Sequence, residues 1–402
     1  MTEIRRAAST EDVRTALQVV FAAFGDRPDD ESYEREAKRM PADRVLLAVD
    51  GKSSVGSAAA YSFEFTVPGG TLGAGGVTWV GVVPSHRRRG VMTQMMRRQL
   101  DDLHERGDPL AILWASESLI YGRFGYGMAA PMLTLDAERA RFAFRDDPGP
   151  SGTARLVERD EAAKLFPSLH EERRRITPGM FARDDTWWAT SQLADPERWR
   201  QGAGPKFFAV VELDGAPVAY AIYRLKEHWD QGIPRAELRI VDACAVSPRA
   251  VRELWRFLFG IDLVARVKQF MFDPNAELPL LVKDPRSLQI ALGDGLWLRL
   301  VDVEAALRGR TYADGDPVVI DVRDEQCSWN SGRYRVGPEV ERTENEADIE
   351  LDVADLACAY LGAFDFHRLA RAGRARELRR GALERASLLF RSERVPYCPE
   401  EF

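Results

Sequence analysis

An α+β architecture in three successive domains is what this 402-residue sequence predicts, and three observations carry it. Strand and helix patterns alternate through about the first 145 residues. The middle of the chain repeats that layout in the same register. From about Pro285 the pattern changes, with its own strands and helices. At roughly 100–200 residues per domain, two or three domains fit this length, each able to bury a core.

Each element has a local reason. Ser9-Thr10-Glu11-Asp12 offers capping oxygens before Val13, Leu17, Val20, Phe21 and Phe24, which share one helical face. The apolar runs Val45–Val49 and Val55–Phe65 flank Asp50-Gly51 and read as a β-hairpin. Val77–Val83 is a further strand ended by Pro84, which has no N–H for a ladder. A helix follows from about Val91, with Met92, Met96, Leu100 and Leu103 on one side, and then the short buried strand Leu110–Trp114. Asp146-Asp147-Pro148-Gly149-Pro150-Ser151-Gly152 has the composition of a linker.

The repeat comes next. Phe207–Leu213, Asp214-Gly215 and Val218–Arg224 again read strand, turn, strand. Leu238–Val246 runs into Ser247-Pro248, and a helix follows through Val251, Leu254, Trp255 and Leu258. Gly51 to Pro84 and Gly215 to Pro248 each span 33 positions, so the middle reads as a second copy of the first fold. Beyond it, Gly295–Leu300 leads into Val303–Leu307, strand-like Pro317–Val322 and Ile349–Val353, and helical patterns at Leu356–Leu361 and Ala375–Phe390.

Composition narrows the function. Hydrophobic residues at 45% and charged residues at 30% describe a globular chain and exclude a disordered one. A net charge of −7 argues against a general nucleic-acid binder and suits a cationic partner or substrate. The arginines at 368, 371, 374, 376, 379 and 380 invite an anionic-membrane or nucleic-acid reading, but Leu369 and Leu378 among them favour packing or a subunit interface. No run approaches 18 apolar residues, so no membrane span is expected. Four Cys without a CxxC pair and a start without an apolar signal segment point to a reducing, cytoplasmic setting. The five His lack ligand spacing, so no metal site is expected. The chain ends Pro396-Tyr397-Cys398-Pro399-Glu400-Glu401-Phe402, aromatic and acidic where frayed polar residues are usual.

The stretch richest in chemistry is Val80-Gly81-Val82-Val83-Pro84-Ser85-His86-Arg87-Arg88-Arg89-Gly90-Val91-Met92. A strand enters a basic loop, and Gly90 stands where a helix begins. Unpaired N–H groups at a helix N-terminus can hold a phosphate or pyrophosphate. Gly90 permits close backbone approach, Arg87–Arg89 add charged donors, and Gly81 is expected to mark a β-bulge. The plainer alternative is a solvated basic turn.

This segment resembles the acetyl-CoA motif of the GNAT (Gcn5-related N-acetyltransferase) superfamily, Arg/Gln-x-x-Gly-x-Gly/Ala after a Val-rich strand. It reads Arg87-Arg88-Arg89-Gly90-Val91-Met92, with Met92 departing from the final Gly/Ala. Downstream, Tyr121-Gly122-Arg123-Phe124-Gly125-Tyr126 resembles the superfamily segment whose leading Tyr protonates the departing thiolate, with Tyr126 as the neighbouring alternative. A phenol of pKa about 10 is protonated at neutral pH and can do this.

The whole chain resembles the Eis (enhanced intracellular survival) family of aminoglycoside N-acetyltransferases. Pro84–Gly90, Ala115-Ser116-Glu117, Ile120–Gly127, Gly295-Leu296-Trp297-Leu298-Arg299 and terminal Glu401-Phe402 carry the resemblance. It implies two tandem GNAT-like domains, catalytic over 1–147 and degenerate over 148–284. A sterol-carrier-like α+β domain over 285–402 would follow, in a homohexamer. It also implies an acetyl-CoA-dependent transferase acting on polyamine-type or aminoglycoside acceptors, at several amines, by direct attack in a ternary complex. Cofactor contacts carry over to Val80, Gly81, Val82, Arg88, Arg89, Gly90, Val91, Met92, Thr93, Ser116 and Glu117. Tyr121 would be the general acid and the Phe402 α-carboxylate the base. Asp26 and Glu401 would face the acceptor. An aromatic of the family's pocket is missing because Glu36 stands there, and Tyr33 is the candidate to replace it.

A terminal carboxylate of pKa about 3.3–3.7 serves as a base only if burial raises it or water relays the proton. In the middle copy, an offset of 164 carries Arg87, Arg88, Arg89 and Gly90 to Val251, Arg252, Glu253 and Leu254, and Tyr121 to Pro285. That copy is therefore expected to bind no CoA. The alternative from another class is a non-enzymatic lipid- or protein-binding module built on the C-terminal domain.

Overall fold

A computed structural model describes residues 2–402. Two units divide the chain: residues up to Ala130 with Asp294–Pro396 and Glu401–Phe402, and Pro131–Gly293 with Tyr397–Glu400.

In the first unit, β1 (Glu3–Arg6) leads into α1 (Thr10–Ala23), whose N-cap Ser9 accepts the amide of Asp12. Val13, Ala16, Leu17 and Val20 form its buried stripe. After α2 (Asp30–Arg39), β2 (Val45–Asp50) and β3 (Ser53–Val67) form the expected hairpin, with Gly51 at φ +61° in its turn. β4 (Gly70–Val82) starts seven residues earlier than the strand read from sequence. The reason is its glycines at 70, 73, 75 and 76, which weaken a strand signal; packing requires two of them, since a Cβ at Gly75 would overlap Leu103 and one at Gly76 the Phe63 ring. α3 (Val91–Glu105), β5 (Leu110–Trp114), α4 (Ser118–Tyr121) and the start of β6 (Gly127–Glu138) follow.

The second unit has β7 (Thr153–Val157), α5 (Arg159–Arg174), the short α6 (Asp185–Trp187), β8 (Phe207–Leu213) and β9 (Ala216–Lys226). A two-by-two ribbon, β10 (Trp229–Asp230) with β11 (Ile233–Pro234), precedes β12 (Ala236–Ala245), α7 (Pro248–Gly260), β13 (Val264–Phe272) and α8 (Leu278–Leu281). Its strands lie in the order β6-β13-β12-β9-β8-β7. β8 and β9 are joined at Asp214-Gly215, both left-handed, the conformation an Asp-Gly hairpin turn requires. The chain's tail is held here by a buried charge cluster. Glu400 accepts from Arg183 Nε at 2.5 Å and from Trp187 Nε1, while Arg183 Nη1 donates to Asp242 at 2.6 Å.

β14 (Ala291–Leu300) returns to the first unit, where Leu296–Leu300 pair antiparallel with Trp114–Leu110 of β5. There the strands run β1-β2-β3-β4-β5-β14. α9 (Val303–Arg308), β15 (Val318–Arg323), β16 (Gly332–Val336), β17 (Glu341–Arg342), β18 (Ile349–Asp352), α10 (Val353–Tyr360), α11 (Phe366–Arg371), β19 (Ala375–Glu377) and α12 (Ala382–Leu389) complete it. The second sheet has the order β17-β16-β15-β18-β19. Arg310, buried without a carboxylate, donates to the carbonyls of Tyr360 and Phe390, capping α10 and α12 at their negative ends.

Candidate active site

The site begins where two strands part. β4 and β5 are parallel, and they pair only from Ala74–Gly76 to Leu110–Ile112. Beyond that, β4 runs on to Val82 and β5 to Trp114, leaving backbone groups of Val80–Val82 open on the β5 side. A bulge on β4 drives the divergence: Ser57 faces Gly81 and Ala59 faces Thr78, so Ala58 meets both Trp79 and Val80. Trp79 is left-handed at φ +52°, and its carbonyl accepts from Ser57 Oγ at 2.8 Å. The bulge thus falls at Trp79–Val80 and not at Gly81 as expected. Gly81 is needed for space, because a Cβ there would lie 3.0 Å from Ala23 Cβ and 3.3 Å from Val20 Cα of α1.

The basic loop closes the open end. Gly90 caps α3 at φ +81° with no side chain in the way, and the first amide to find a helical acceptor is Gln94, on Gly90 O at 3.1 Å. The N–H groups of Val91, Met92 and Thr93 lie ahead of that ladder. The three arginines divide their work. Arg87 is spent on the backbone, donating to Ala23 O at 2.6 Å and Val82 O at 3.2 Å, which ties the loop down. Arg88 and Arg89 are exposed and make no hydrogen bond or ion pair among the described residues. His86 sits 2.9 Å from Ser85 Oγ and 3.3 Å from Asp50 Oδ2.

Opposite the loop, Ser116 and Glu117 precede α4, and Tyr121 ends it, buried. Its phenol is pushed up to about 12 by burial, with the charge of Glu117 adding to the effect. Tyr126 meets Tyr121 edge-on at 5.9 Å and is itself raised by burial, against the pull of Arg299.

These residues share one cleft of about 480 Å³. It is lined by Val80, Gly81, Val82, Arg88, Gly90, Val91, Met92, Thr93, Ser116, Glu117 and Tyr121, every expected cofactor contact except Arg89. Phe24, Ile120 and Arg123 line it too and were not anticipated. Nothing in their own segments marks them, since only the parting of β4 and β5 turns these side chains to a common space. Asp26 and Tyr33 line a second cavity of about 510 Å³ with Gln18, Ala22 and Gly25. Arg14 lies 4.4 Å over the Tyr33 ring. Glu36 is buried, accepting from Arg39 and, at 2.9 Å, from the Tyr61 hydroxyl. Glu401 is exposed, and the Phe402 ring packs edge-on against Phe63 at 5.1 Å.

Among the described residues no group of three His, Cys, Asp or Glu could hold a metal ion, and no helix is long and apolar enough to cross a membrane. The four cysteines form no disulfide among the described residues.

Comparison with known proteins agrees with this geometry. Residues 3–129 match one acetyltransferase (GNAT) domain family, residues 179–300 match another, and residues 303–399 match a sterol carrier protein domain. An uncharacterized N-acetyltransferase of Streptomyces avermitilis is 40% identical over 419 residues, covering 100% of both chains. N-acetyltransferase Eis of Mycobacterium tuberculosis is 34% identical over 403 residues, 96% of each. The crystal structure of Eis1 from Mycobacterium abscessus superposes with a TM-score of 0.86 at 33% identity, covering 100% of both chains. Two GNAT domains followed by a sterol-carrier domain is the α+β fold expected from the sequence, and it is that of an acetyltransferase. The chain belongs to the Eis family of N-acetyltransferases.

Proposed function

We propose that the enzyme transfers acetyl from acetyl-CoA to amines of polycationic acceptors such as aminoglycosides, at more than one position, by direct attack in a ternary complex. The observation that carries this is the cleft itself: parted strand edges, uncapped amides and a buried phenol face one space. GNAT acetyltransferases use acetyl-CoA, and these residues fit it. Strand-edge groups of Val80–Val82 suit an extended amide-bearing arm. The amides of Val91, Met92 and Thr93, with Arg88 and Arg89 beside them, suit a pyrophosphate. Bound there, acetyl-CoA supplies an activated acetyl thioester.

The residues then have separate tasks. Tyr121 holds a proton at its hydroxyl for the sulfur that leaves when the new C–N bond has formed. The Phe402 carboxylate takes the proton that the acceptor's ammonium gives up. Asp26, Tyr33 and Glu401 receive the acceptor, and a chain of net charge −7 attracts a polycation from a distance. Four cysteines without a disulfide fit a reducing compartment, and we take the enzyme to be cytoplasmic.

The test is thiol release from acetyl-CoA with kanamycin or a polyamine as acceptor. Turnover is expected with at least one of them, falling by about 10²-fold or more in Tyr121→Phe. A chain extended by one Gly after Phe402 should lose most activity. If the extended chain keeps full activity, the terminal base is wrong. If Tyr121→Phe is as fast as the parent, the acid assignment is wrong.

A further inference from the structure

Arg299 is the largest fully buried side chain in the protein, at 0% exposure, and nothing in the chemistry above uses it. It sits on β14, opposite Ala111 of β5. Its Nη2 donates to Asp324 Oδ2 at 2.5 Å, a pair in which neither side chain is more than 1% exposed. Asp324 is locked in turn. Its Oδ1 accepts the amides of Gln326 and Cys327, both at 3.0 Å, and its Oδ2 accepts Asn330 Nδ2 at 2.9 Å. Asn330 is tied to β14 and α9 through Leu300 O, Val301 O and the Val303 amide.

The guanidinium is thereby fixed as a rigid plate, and what lies on the plate is the turn that follows Tyr121. A Cβ at Gly125 would stand 2.6 Å from Arg299 Nη1 and 2.8 Å from Cζ, so the planar group is pressed against that residue's backbone. Gly125 is left-handed at φ +81°, and its amide closes the turn on Gly122 O at 3.0 Å. Tyr121, Phe124, Tyr126 and Cys327 share one buried cluster above it. The same loop grips the turn a second time, Gln326 Nε2 donating to Arg123 O at 3.1 Å.

Stability alone does not account for this arrangement. A buried ion pair is at best weakly stabilising against an apolar pair of like volume. Arg299 Nε and Nη1 and the Tyr126 hydroxyl, all buried, find no nitrogen or oxygen partner among the described residues, and Arg299 has only the Cys327 thiol beside it. An apolar side chain would fill the space at lower cost but would not offer a flat, unbending support.

We propose that Arg299 is a positioning residue for the reaction, bracing the Gly122–Tyr126 turn and so setting where the Tyr121 phenol stands in the cleft. This rests on the reading of Tyr121 as the acid.

The test measures kcat, KM for acetyl-CoA and thermal stability in Arg299→Met, Arg299→Lys, Gly125→Ala and the double variant Gly125→Ala/Arg299→Met. The proposal expects kcat to fall by up to about 10²-fold in Arg299→Met, the size of effect a misplacement near 1 Å produces. KM for acetyl-CoA should stay close to the parental value, because the β4 bulge and the Gly90 loop are untouched. Arg299→Lys, which keeps a charge for Asp324, should recover part of kcat. The double variant should be no slower than the worse single one, since both changes break one contact. Should Arg299→Met fail to fold, Arg299→Lys and Gly125→Ala decide, with kcat falling and KM steady in each. Folded variants with kcat within twofold of the parent, or with KM raised and kcat unchanged, overturn the proposal while a slow Tyr121→Phe leaves the acid in place. A fast Tyr121→Phe removes the acid assignment itself.

Discussion

Burial suits Tyr121 to the role of acid proposed for it, because it keeps the proton on the phenol. Out of water its phenolate is disfavoured, the negative charge of Glu117 disfavours it further, and the group titrates at about 12, above its ordinary value of 10.0. With a raised folded value, the phenol stays protonated across the whole range in which acceptor amines lose their protons. We therefore expect kcat at saturating substrates to rise with pH as the attacking amine is freed and to show no descending limb between pH 9 and about 10.5. The stability contribution has the same sign: it is complete below pH 10 and is lost as pH climbs from there toward 12. A pH–rate profile of the parent, with Tyr121→Phe as baseline, checks this. A limb centred near 10 that vanishes in Tyr121→Phe would mean that the phenol is not shielded in this way. Tyr121 itself was legible in the sequence, since its motif is local and continuous. Arg299 was not legible as a partner. It is distant along the chain, and an Arg in a strand carries no sign that it will be buried against a glycine.

α3 and α7 differ in whether their first amides are left open to a ligand. Eight residues separate β4 from α3, and Gly90 at the cap offers no side chain to its amides. Only Val246 and Ser247 separate β12 from α7, where Ser247 accepts the Ala250 amide and Pro248 has no N–H to give. The loss of the motif was visible in the sequence, as were α3, α7 and the two Asp-Gly hairpins, whereas Ala375–Phe390, which reads as one helix, is strand β19 followed by α12. The shortened approach to α7 and the exact place of the β4 bulge were not, because both depend on register between strands, which residue patterns leave open by one or two positions. Arg87 lines the cleft but also turns back to the backbone, and which of three adjacent arginines does so is decided by where Ala23 and Val82 lie. From this follows a prediction for α3. Gly90→Val forces a β-branched residue into the left-handed region and puts a side chain over the free amides. The dissociation constant for acetyl-CoA should rise about tenfold, equal to ~1.4 kcal/mol, in a calorimetric titration. An unchanged constant in a folded variant would remove the helix end from the cofactor site.

The two GNAT domains differ in what fills their clefts, and this sets how many CoA molecules one chain should take. In the second unit β12 and β13 pair from Ala236 to Ile240 and no further, so their ends also part. That opening is occupied by the protein itself. Tyr397 donates to Met271 O at 2.9 Å, and Tyr397 and Pro399 line what is left, a cavity of about 70 Å³ against about 480 Å³ in the first unit. The insertion is held by charge as well as shape. Arg183 bonds Asp242 and Glu400 with all three side chains buried, and pulling out one partner of such a set would cost several kcal/mol. A cofactor arm would have to displace this tail and would then meet a capped helix and no Tyr121 equivalent: the approach to α7 is six residues shorter than that to α3, so the offset of 164 that pointed to Pro285 does not hold here, and α8, which follows β13 as α4 follows β5, contains no Tyr. We expect isothermal titration of the full chain with acetyl-CoA to give one site per chain. Glu400→Ala should loosen the tail and lower the melting temperature without creating a second site, because Ser247 and Pro248 still close the helix end. A stoichiometry of two in the parent would refute the assignment of the central domain as a non-binding copy. A stoichiometry of two appearing only in Glu400→Ala would mean that the tail alone, and not the rebuilt helix end, keeps CoA out.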